Sequence, residues 1–576
     1  MSSENGRILN DTDVKQCATL KLSWKNITVW YSKKIHKSFL SFRQKKYVKV
    51  LNNVNGVVYS GTLMGIMGAS GSGKTSLLTT LSQRSNGVIV GEIMLNDNCI
   101  AREQMKLISG FVPQQELFVG DLTVTEHLQF MARLKMHKTA TIKERNETTF
   151  LLLSQLCLTE SMQKKISLLS GGEVKKLSLA VQLLTNPPLI FCDEPTTGLD
   201  SYNAESVVKI LNNIAELGKI VICTIHQPKS GIFDIFHQIT FLGCGSMIYC
   251  GTVDNMSSYF QSLDLKCPEK FNPPEFYMSQ LAMIEKDAIG IQSLCDYFHN
   301  SPFSNEMRKH LNKKHNSFNK LQCTNLSTEY VNNYPRDKVK FFVQVCWLLW
   351  RCIQTMKLNY KNILLRFFLY MFIATLLSTM YWNLTATMGQ EDIQNLEGLI
   401  YLIITETIFT FTYSVLHTFP DELPAILREI SDGLYSPGPY YISKMVSLIP
   451  FAITETICYT GIICWSIGLK GGVIGYIYFY LPVLFCAIAS MAYGFALSTV
   501  FESVGTASLV SVPIDFIAMI YSGIYINISR LPWYTAWLPY ISQFYFGLEA
   551  ISVAEWEKID VINCENPDLP YRIYLD

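Results

Sequence analysis

Five apolar runs occupy the last two-fifths of the chain, at about 363–382, 398–419, 445–467, 473–500 and 507–526. Each approaches or exceeds the ~20 residues that an α-helix needs to cross a hydrocarbon layer. A backbone in hydrocarbon has no water to satisfy its N–H and C=O groups, so such runs are restricted to helices. Five in succession with so few charges argue against the alternative, buried helices of a soluble core. Composition agrees: 16% of residues are charged and 49% hydrophobic, whereas soluble domains carry roughly 25% charge. The balance of 48 Lys and Arg against 47 Asp and Glu gives no attraction for a polyanion, so nucleic acid is not expected as a ligand. The 16 cysteines lack paired C-x-x-C spacing, which speaks against a zinc site or a secreted disulfide scaffold and for reduced thiols. Met1 to Thr19 is polar, so membrane insertion must come from the internal helices.

Charge sets the orientation of the spans. Lys357, Lys361 and Arg366 precede the first, and the stretch Asn383 to Asn395 has neither Lys nor Arg, which puts the N-terminal side in the cytoplasm. The next loop, with Arg428 and Lys444, returns to it. The sequons Asn383-Leu384-Thr385 and Asn527-Ile528-Ser529 then face outward, close to the membrane; Asn26-Ile27-Thr28 and Asn146-Glu147-Thr148 fall on the cytosolic side and should be silent. Glu406 and Glu455 lie inside apolar spans, where an ionisable residue is a functional candidate. Phe341 to Trp350, between Lys340 and Arg351, forms an apolar helix that either lies at a membrane surface or packs on the preceding domain.

The first half of the chain has a different grammar. Leu20 to Trp30 alternates as a half-buried strand, the basic run Lys33 to Lys46 reads as a solvated loop or a contact for anionic headgroups, and Val48–Leu51 and Gly56–Tyr59 read as a second strand pair. Leu63 to Met67 is an apolar strand, followed by Gly68-Ala69-Ser70-Gly71-Ser72-Gly73-Lys74-Thr75 and a helix opening at Ser76. This is the phosphate-binding pattern G-x-x-x-x-G-K-[ST]. Its glycines let successive N–H groups turn inward around phosphates; Lys74 would reach the β- and γ-phosphates of ATP and the Thr75 hydroxyl would ligate Mg²⁺. Tyr47 is a candidate to stack on adenine, or else packs in a sheet.

Further on, Gln114 follows Phe111-Val112-Pro113, and Thr125 would cap the helix after it. Next come Leu169-Ser170-Gly171-Gly172-Glu173, then Leu189 to Cys192 ending in Asp193-Glu194, then Asp200, then Ile220 to Ile225 delivering His226. An apolar strand ending in two carboxylates suits one on Mg²⁺ and one beside an attacking water.

These pieces in this order resemble the nucleotide-binding domain of ATP-binding-cassette proteins over about residues 20 to 285. The resemblance makes Gly68 to Thr75 the Walker A loop, Gln114 the Q-loop glutamine that contacts the γ-phosphate and Mg²⁺, and Asp193 a Mg²⁺ ligand. Glu194 becomes the catalytic carboxylate, Asp200 the D-loop aspartate and His226 the switch histidine. Ser170, Gly171, Gly172 and Glu173 become the signature that completes the ATP site of a partner subunit. Thr75 departs from the commoner serine but keeps the hydroxyl, and Val174 stands where a basic residue is usual, which puts only the turnover rate in doubt. The stretches Thr224-Ile225-His226-Gln227-Pro228 and Asn272-Pro273-Pro274-Glu275-Phe276-Tyr277 are similar to the G subfamily of half-transporters, and the latter most to the insect White, Scarlet and Brown group. In that subfamily the cargo cavity lies between the second and fifth spans of two subunits, which would make Glu406, Phe409 and Phe411 lining residues, with helix packing as the alternative; Arg428-Glu429 resembles the coupling region next to the ATPase.

The expected fold is an α/β phosphate-loop ATPase domain of the ATP-binding-cassette type followed by an all-α transmembrane domain. Its parts are a disordered N-terminus (1–20), the nucleotide-binding domain (21–285), a linker (286–335), a connecting amphipathic helix (336–360) and the membrane domain (361–576). The expected function is ATP-driven movement of a small organic molecule by a homo- or heterodimer in a plasma, vesicle or pigment-granule membrane. The resemblance leaves a guanine- or tryptophan-derived pigment precursor and a lipid or sterol as alternative cargos. A soluble cassette ATPase would need two cassettes and no spans. Relatives carry a sixth span after a re-entrant region, matched here by Leu531 to Ala550, and nothing beyond Ala550 is apolar enough to cross. The sequence is therefore expected to be a truncated isoform or an incomplete gene model, and a poorly active, regulatory subunit is the corresponding alternative.

Overall fold

A computed structural model describes residues 20–34, 45–226, 231–268, 271–284, 288–312, 339–384, 390–468, 472–501 and 503–557. They divide into two units, Met1–Lys338 and Val339–Asp576.

In the first unit β1 (Lys21–Lys34), β2 (Lys45–Tyr59), β4 (Val88–Leu95) and β5 (Asn98–Cys99) form an antiparallel sheet in the order β2-β1-β4-β5. Leu22, Trp24, Ile27 and Val29 of β1 are fully buried. The two segments expected as a strand pair are instead one strand, β2, running antiparallel to β1 with register irregularities between Trp24 and Trp30. The strands extend through both flanks of the basic run, pairing Lys33 with Lys46 and Lys34 with Lys45; the rest of that run lies outside the described residues.

The second sheet has the order β10-β9-β3-β8-β7-β6, with β3 (Leu63–Gly68), β6 (Ser109–Val112), β7 (Leu189–Cys192), β8 (Ile220–Thr224), β9 (Gln238–Gly243) and β10 (Ser246–Thr252). All but the β9–β10 pair run parallel. Every residue of β3, β7 and β8 is buried, as expected of strands covered by helices on both faces. The register aligns Val112 with Cys192, Cys192 with Cys223, and Ile66 with Thr224. The chain segments that leave β3, β6, β7 and β8 therefore emerge side by side at one sheet edge, where open α/β sheets place ligands.

Two sequence expectations need correction here. Thr123, not Thr125, caps the helix Val124–Lys135: its side chain accepts from Glu126 N at 3.2 Å while Glu126 Oε2 accepts from Thr123 N at 2.9 Å. The Thr125 hydroxyl instead donates to Met162 O at 2.8 Å. The reciprocal Thr-x-x-Glu pair satisfies two helix-end donors, which one hydroxyl alone does not. The stretch 286–335 is also not wholly a linker, because Ala288–Asn300 and Pro302–Asn312 are helices. They bury Ile291, Phe298, Met307 and Leu311 and set Phe298 and Phe303 edge-on to Tyr249 of β10. Each helix puts only a few apolar side chains inward, too sparse a pattern to read in a polar segment. Residues 313–338 lie outside the described set.

The second unit begins with α1 (Phe341–Leu358), the expected connecting helix, and continues with α2 (Tyr360–Met380), α3 (Gln390–Ser431), α4 (Pro437–Ile467) and α5 (Gly472–Val500). Among the described residues four helices are long and apolar enough to cross a membrane: α2, Asp392–Pro420 within α3, α4 and α5. The fifth run forms a shorter helix, α6 (Val504–Ile520), of 17 residues. At 1.5 Å per residue this is about 25 Å, below the ~30 Å of a hydrocarbon core. The chain turns after it at Tyr521 and Ser522, and Gly523 takes a φ of 105°, so the apolar residues up to Ile526 do not extend the helix. Two 3₁₀ turns, Ile528–Arg530 and Pro539–Ile541, precede α7 (Gln543–Trp556). Helix α3 runs on through Pro420 and Pro424 to Ser431, so Arg428 sits on a helix and not in the expected loop.

That extension carries Glu429 to Arg351 of α1. Arg351 Nη1 donates to Glu429 Oε1 at 2.9 Å and Oε2 at 2.8 Å, Nη2 donates to Tyr435 OH at 3.2 Å, and Tyr435 OH donates to Glu429. Burial by itself would lower the Arg351 pKa, and the Glu429 carboxylate more than offsets it, so the guanidinium is held well above its ordinary value. Both side chains are under 10% exposed, and removing one partner strands the other's charge. Arg351→Met or Glu429→Gln is expected to cost about 3–5 kcal/mol, with the Arg351→Met/Glu429→Leu double variant recovering most of it. Thermal unfolding of the detergent-solubilised chain checks this, and a double variant as unstable as the singles would contradict it.

Candidate functional site

The turn after β3 enters a helix at Lys74 (Lys74–Leu81), with Gly73 as N-cap at a φ of 99°. A side chain at Gly73 would also meet Leu51 Cδ2 at 2.8 Å, so β2 closes tightly over the loop. Lys74 is 6% exposed, and its Nζ donates to Gly68 O and Ala69 O at 2.9 Å each, bridging the loop it follows. The Ser72 hydroxyl is buried without a partner among the described residues. A glycine-hinged loop ahead of a helix N-terminus, a lysine across it and an unmet hydroxyl within it fit a bound phosphate chain.

Asp193, directly after β7, joins three elements. Its Oδ1 accepts from Thr75 Oγ1 at 3.0 Å and from Thr224 Oγ1 at 2.7 Å. Burial pushes its carboxyl above the ordinary range, and the two hydroxyls pull it partly back. Thr75, Asp193 and the Gln114 amide are hard oxygen donors, too few to cage an ion alone but suited to Mg²⁺ that arrives with a phosphate substrate. Among the described residues no cluster of three His, Cys, Asp or Glu could hold a metal by itself.

Glu194 takes a positive φ of 46° ahead of Pro195, a conformation that costs a non-glycine residue of order 1–3 kcal/mol. Its N–H donates to Thr224 Oγ1 at 2.8 Å, and its Oε2 accepts from Gln114 Nε2 at 2.8 Å and from Thr197 Oγ1 at 3.0 Å. One carboxylate oxygen is thus fixed by two donors. Glu194 lines a cleft of about 510 Å³ with Ser70, Gln114, Thr197 and His226. The structure brings Ser70, Gln114, Glu194 and His226 together in one cleft. Thr197 and Thr224 were not singled out from sequence, because a threonine beside an acidic strand end has no pattern of its own. Tyr47 is 55% exposed on β2, four residues and about 13 Å of strand from the Leu51 that covers the loop. Gln227 and Pro228 lie outside the described residues.

Ser170 caps the helix Gly171–Leu183: its Oγ accepts from Glu173 N at 3.3 Å, and Glu173 Oε2 accepts from Ser170 N at 2.8 Å. Burial by itself would raise the Glu173 carboxyl, but bonds from Ser161 and Ser170 outweigh it and hold the group below its ordinary value. Glu173 therefore shapes the turn that presents Ser170 and Gly171. A side chain at Gly172 would come within 3.1 Å of Asn203, and Asn203 is held by Asp200 through Nδ2–Oδ1 at 2.6 Å. The hydrogen bond from Asn203 keeps the Asp200 carboxyl below its ordinary value.

In the membrane unit Glu406 and Phe409 lie on one face of α3. Glu406 Oε1 accepts from Thr410 Oγ1 at 3.0 Å, and the Phe409 ring stands 5.9 Å from those of Tyr413 and Phe544. Phe411 does not share that face. It is 1% exposed and packs on Tyr370 and under Arg366, because two residues advance a helix by about 200°. Glu455 is paired with Arg366 of α2 at 2.6 Å. Asp515 of α6, which no sequence pattern singles out, is 2% exposed and accepts from Tyr413 OH at 3.4 Å.

The chain matches the family described as ABC transporter over residues 51–197 and that described as ABC-2 type transporter over residues 226–297 and 343–556. Protein scarlet of Drosophila melanogaster is 34% identical over 91% of this chain and 80% of its own length. Protein brown of the same organism is 32% identical over 96% and 90%. The broad substrate specificity ATP-binding cassette transporter ABCG2 of Bos taurus is 28% identical over 93% and 84%.

Replacing the buried Lys74 by Ala removes the cation that bridges the loop, so ATP affinity is expected to fall by tenfold or more, in line with the loss of about 1.5–3 kcal/mol for a charge-assisted hydrogen bond. Titration with a fluorescent ATP analogue checks this; wild-type affinity would remove Lys74 from the phosphate site.

Proposed function

The chain belongs to the ATP-binding-cassette transporters, as a half-transporter of the G subfamily in the White, Scarlet and Brown group, and from that premise we propose how its own residues carry out ATP-driven transport. It is a membrane protein whose ATPase domain is cytoplasmic and whose ATP hydrolysis is coupled to transport. Half-transporters dimerise. In the arrangement proposed here the phosphate loop of one subunit and Ser170, Gly171 and Gly172 of the other enclose each ATP.

The observation that carries the reading is the fixed Glu194 carboxylate, with Oε2 held by Gln114 and Thr197 in the cleft that His226 also lines. With Oε2 occupied, Oε1 is the acceptor for a water attacking the γ-phosphorus. Lys74 would hold the β- and γ-phosphates, Thr75 and Asp193 would hold Mg²⁺ with Gln114, and His226 would contact the γ-phosphate. Bound Mg²⁺ would neutralise charge on the transferring phosphoryl group. Asp200 acts through Asn203, which sets the approach of the signature turn.

The cargo is read as a small organic molecule, with a guanine- or tryptophan-derived pigment precursor preferred to a lipid or sterol. Glu406, bonded by Thr410, shares a face of α3 with the neighbouring rings of Phe409 and Tyr413 and offers hydrogen bonds beside flat aromatic surfaces, which suits a planar polar molecule better than a sterol. The membrane is read as that of the cell surface or a pigment-type vesicle.

Glu194→Gln is expected to bind ATP as the unaltered protein does and to lose hydrolysis by at least a hundredfold, since the acceptor for the water is gone while Lys74 and Thr75 remain. Paired binding and phosphate-release assays on the assembled dimer test it, and hydrolysis at the original rate would refute the assignment of that carboxylate. Cysteine cross-linking with ATP should join Ser170→Cys of one subunit to Ser70→Cys of the other; links found only within one chain would defeat the shared site.

A further inference from the structure

Lys175 stands five residues into the signature helix and is almost fully buried, at 6% exposure. A buried ammonium is costly unless paired and hydrogen-bonded, and here it is both. Its Nζ lies 2.9 Å from Glu116 Oε1 and donates to the main-chain carbonyl of Gln114 at 2.6 Å; the Lys175 and Glu116 side chains are 7% and 8% exposed. Gln114 in turn donates its side-chain amide to Glu194 Oε2 at 2.8 Å. Two hydrogen bonds thus run from the signature helix to the carboxylate read above as the acceptor for water, with Glu116 as a side anchor.

We propose that Lys175, anchored by Glu116, is a positioning residue for hydrolysis. It fixes the main chain of Gln114 and so the orientation of Glu194, and it ties that orientation to the helix whose first turn meets the partner's ATP. The proposal rests on the reading of Glu194 given above. The chemistry suits lysine: a compact ammonium carries three donors on one atom and can meet a carboxylate and a carbonyl at the end of a narrow stem. Ser170 and Lys175 are separated by about 7 Å of a single rigid helix, so a displacement of the signature turn moves Lys175 with it. Lys175 touches neither the phosphate loop nor Thr75 in this arrangement, so its loss should be felt in the chemical step and not in ATP affinity.

The test is a steady-state ATPase cycle on the chain with its co-purified partner subunit in lipid nanodiscs. It compares the unaltered protein, Lys175→Met, Gln114→Ala, the double variant and Glu194→Gln. Lys175→Met should lower kcat by about tenfold to a hundredfold, as small displacements of reacting groups do, with KM for ATP changed less than about twofold. In the Gln114→Ala background the same substitution should change kcat by less than about twofold, because residues acting in series are not additive. Equal losses in both backgrounds, a raised KM at unchanged kcat, or no change at all would each overturn the proposal. Should Lys175→Met fail to assemble, Glu116→Gln keeps the lysine and its bond to the Gln114 carbonyl while removing the anchor. It must then show the same kcat-only loss and the same dependence on Gln114. If Glu194→Gln hydrolyses ATP normally, the reading of the carboxylate fails; if it is inactive while Lys175 and Gln114 act independently, only the role of Lys175 fails.

Discussion

The Asp193 carboxylate is the knot of the ATPase unit. It holds a hydroxyl from the phosphate-loop helix and another from the end of β8, while its own backbone continues β7. Two strand ends and a helix start that are far apart in sequence are thereby locked within hydrogen-bond reach. This works because the parallel register brings Cys192 level with Cys223 and Ile66 level with Thr224. Thr224 does double service, since its oxygen also accepts from Glu194 N. Asp193 and Glu194 are adjacent carboxylates with opposite surroundings. One is buried, and its carboxyl is pushed above the ordinary range; the other opens onto the cleft on a left-handed backbone. Environment, and not residue type, separates the two.

The membrane unit solves a different problem, the placement of charge among apolar helices. Arg366 of α2 reaches Glu455 of α4, and Lys444 of α4 reaches Glu422 of α3 at 2.7 Å. Each pair joins two different helices, so it specifies which faces meet as well as satisfying the charges, and breaking a pair costs more than making it gained. Close packing does the rest: Tyr370 and Tyr459 stack at 4.1 Å between α2 and α4, and a side chain at Gly494 of α5 would strike Thr412 O of α3 at 2.7 Å. Small residues at helix contacts and stacked rings are the means left where lipid removes the hydrophobic drive for helices to associate.

How much could be read in advance depended on how local the physics was. The phosphate loop, the Asp193-Glu194 strand end and the signature turn are short runs whose glycines, hydroxyls and carboxylates act within a few residues, so their local form could be read from the sequence. The glycine that stops α6, the helices within 288–312 and the burial of Phe411 depend on neighbours from other elements. Phe411 is one side chain in a run where Phe409, Phe411 and Tyr413 look alike. Only helical phase against α2 tells that 411 turns inward while 409 and 413 share the other face. The choice of Thr123 over Thr125 as cap is by contrast local, since it rests on the Thr-x-x-Glu spacing to Glu126.

By itself the sequence determined the chemistry on offer: a phosphate loop with lysine and threonine, two carboxylates at a strand end, a signature turn, and long apolar runs confined to helices by the demands of backbone hydrogen bonding in hydrocarbon. Tertiary structure alone decided which of these groups touch. The link from Lys175 through Gln114 to Glu194 joins residues 61 and 80 positions apart. The Arg351–Glu429 pair spans 78 positions and Arg366–Glu455 spans 89. Nothing in the local pattern of a helix or strand encodes a partner at that distance. The register of parallel strands and the phase of packed helices do, because each is fixed only when the apolar faces on both sides are buried together.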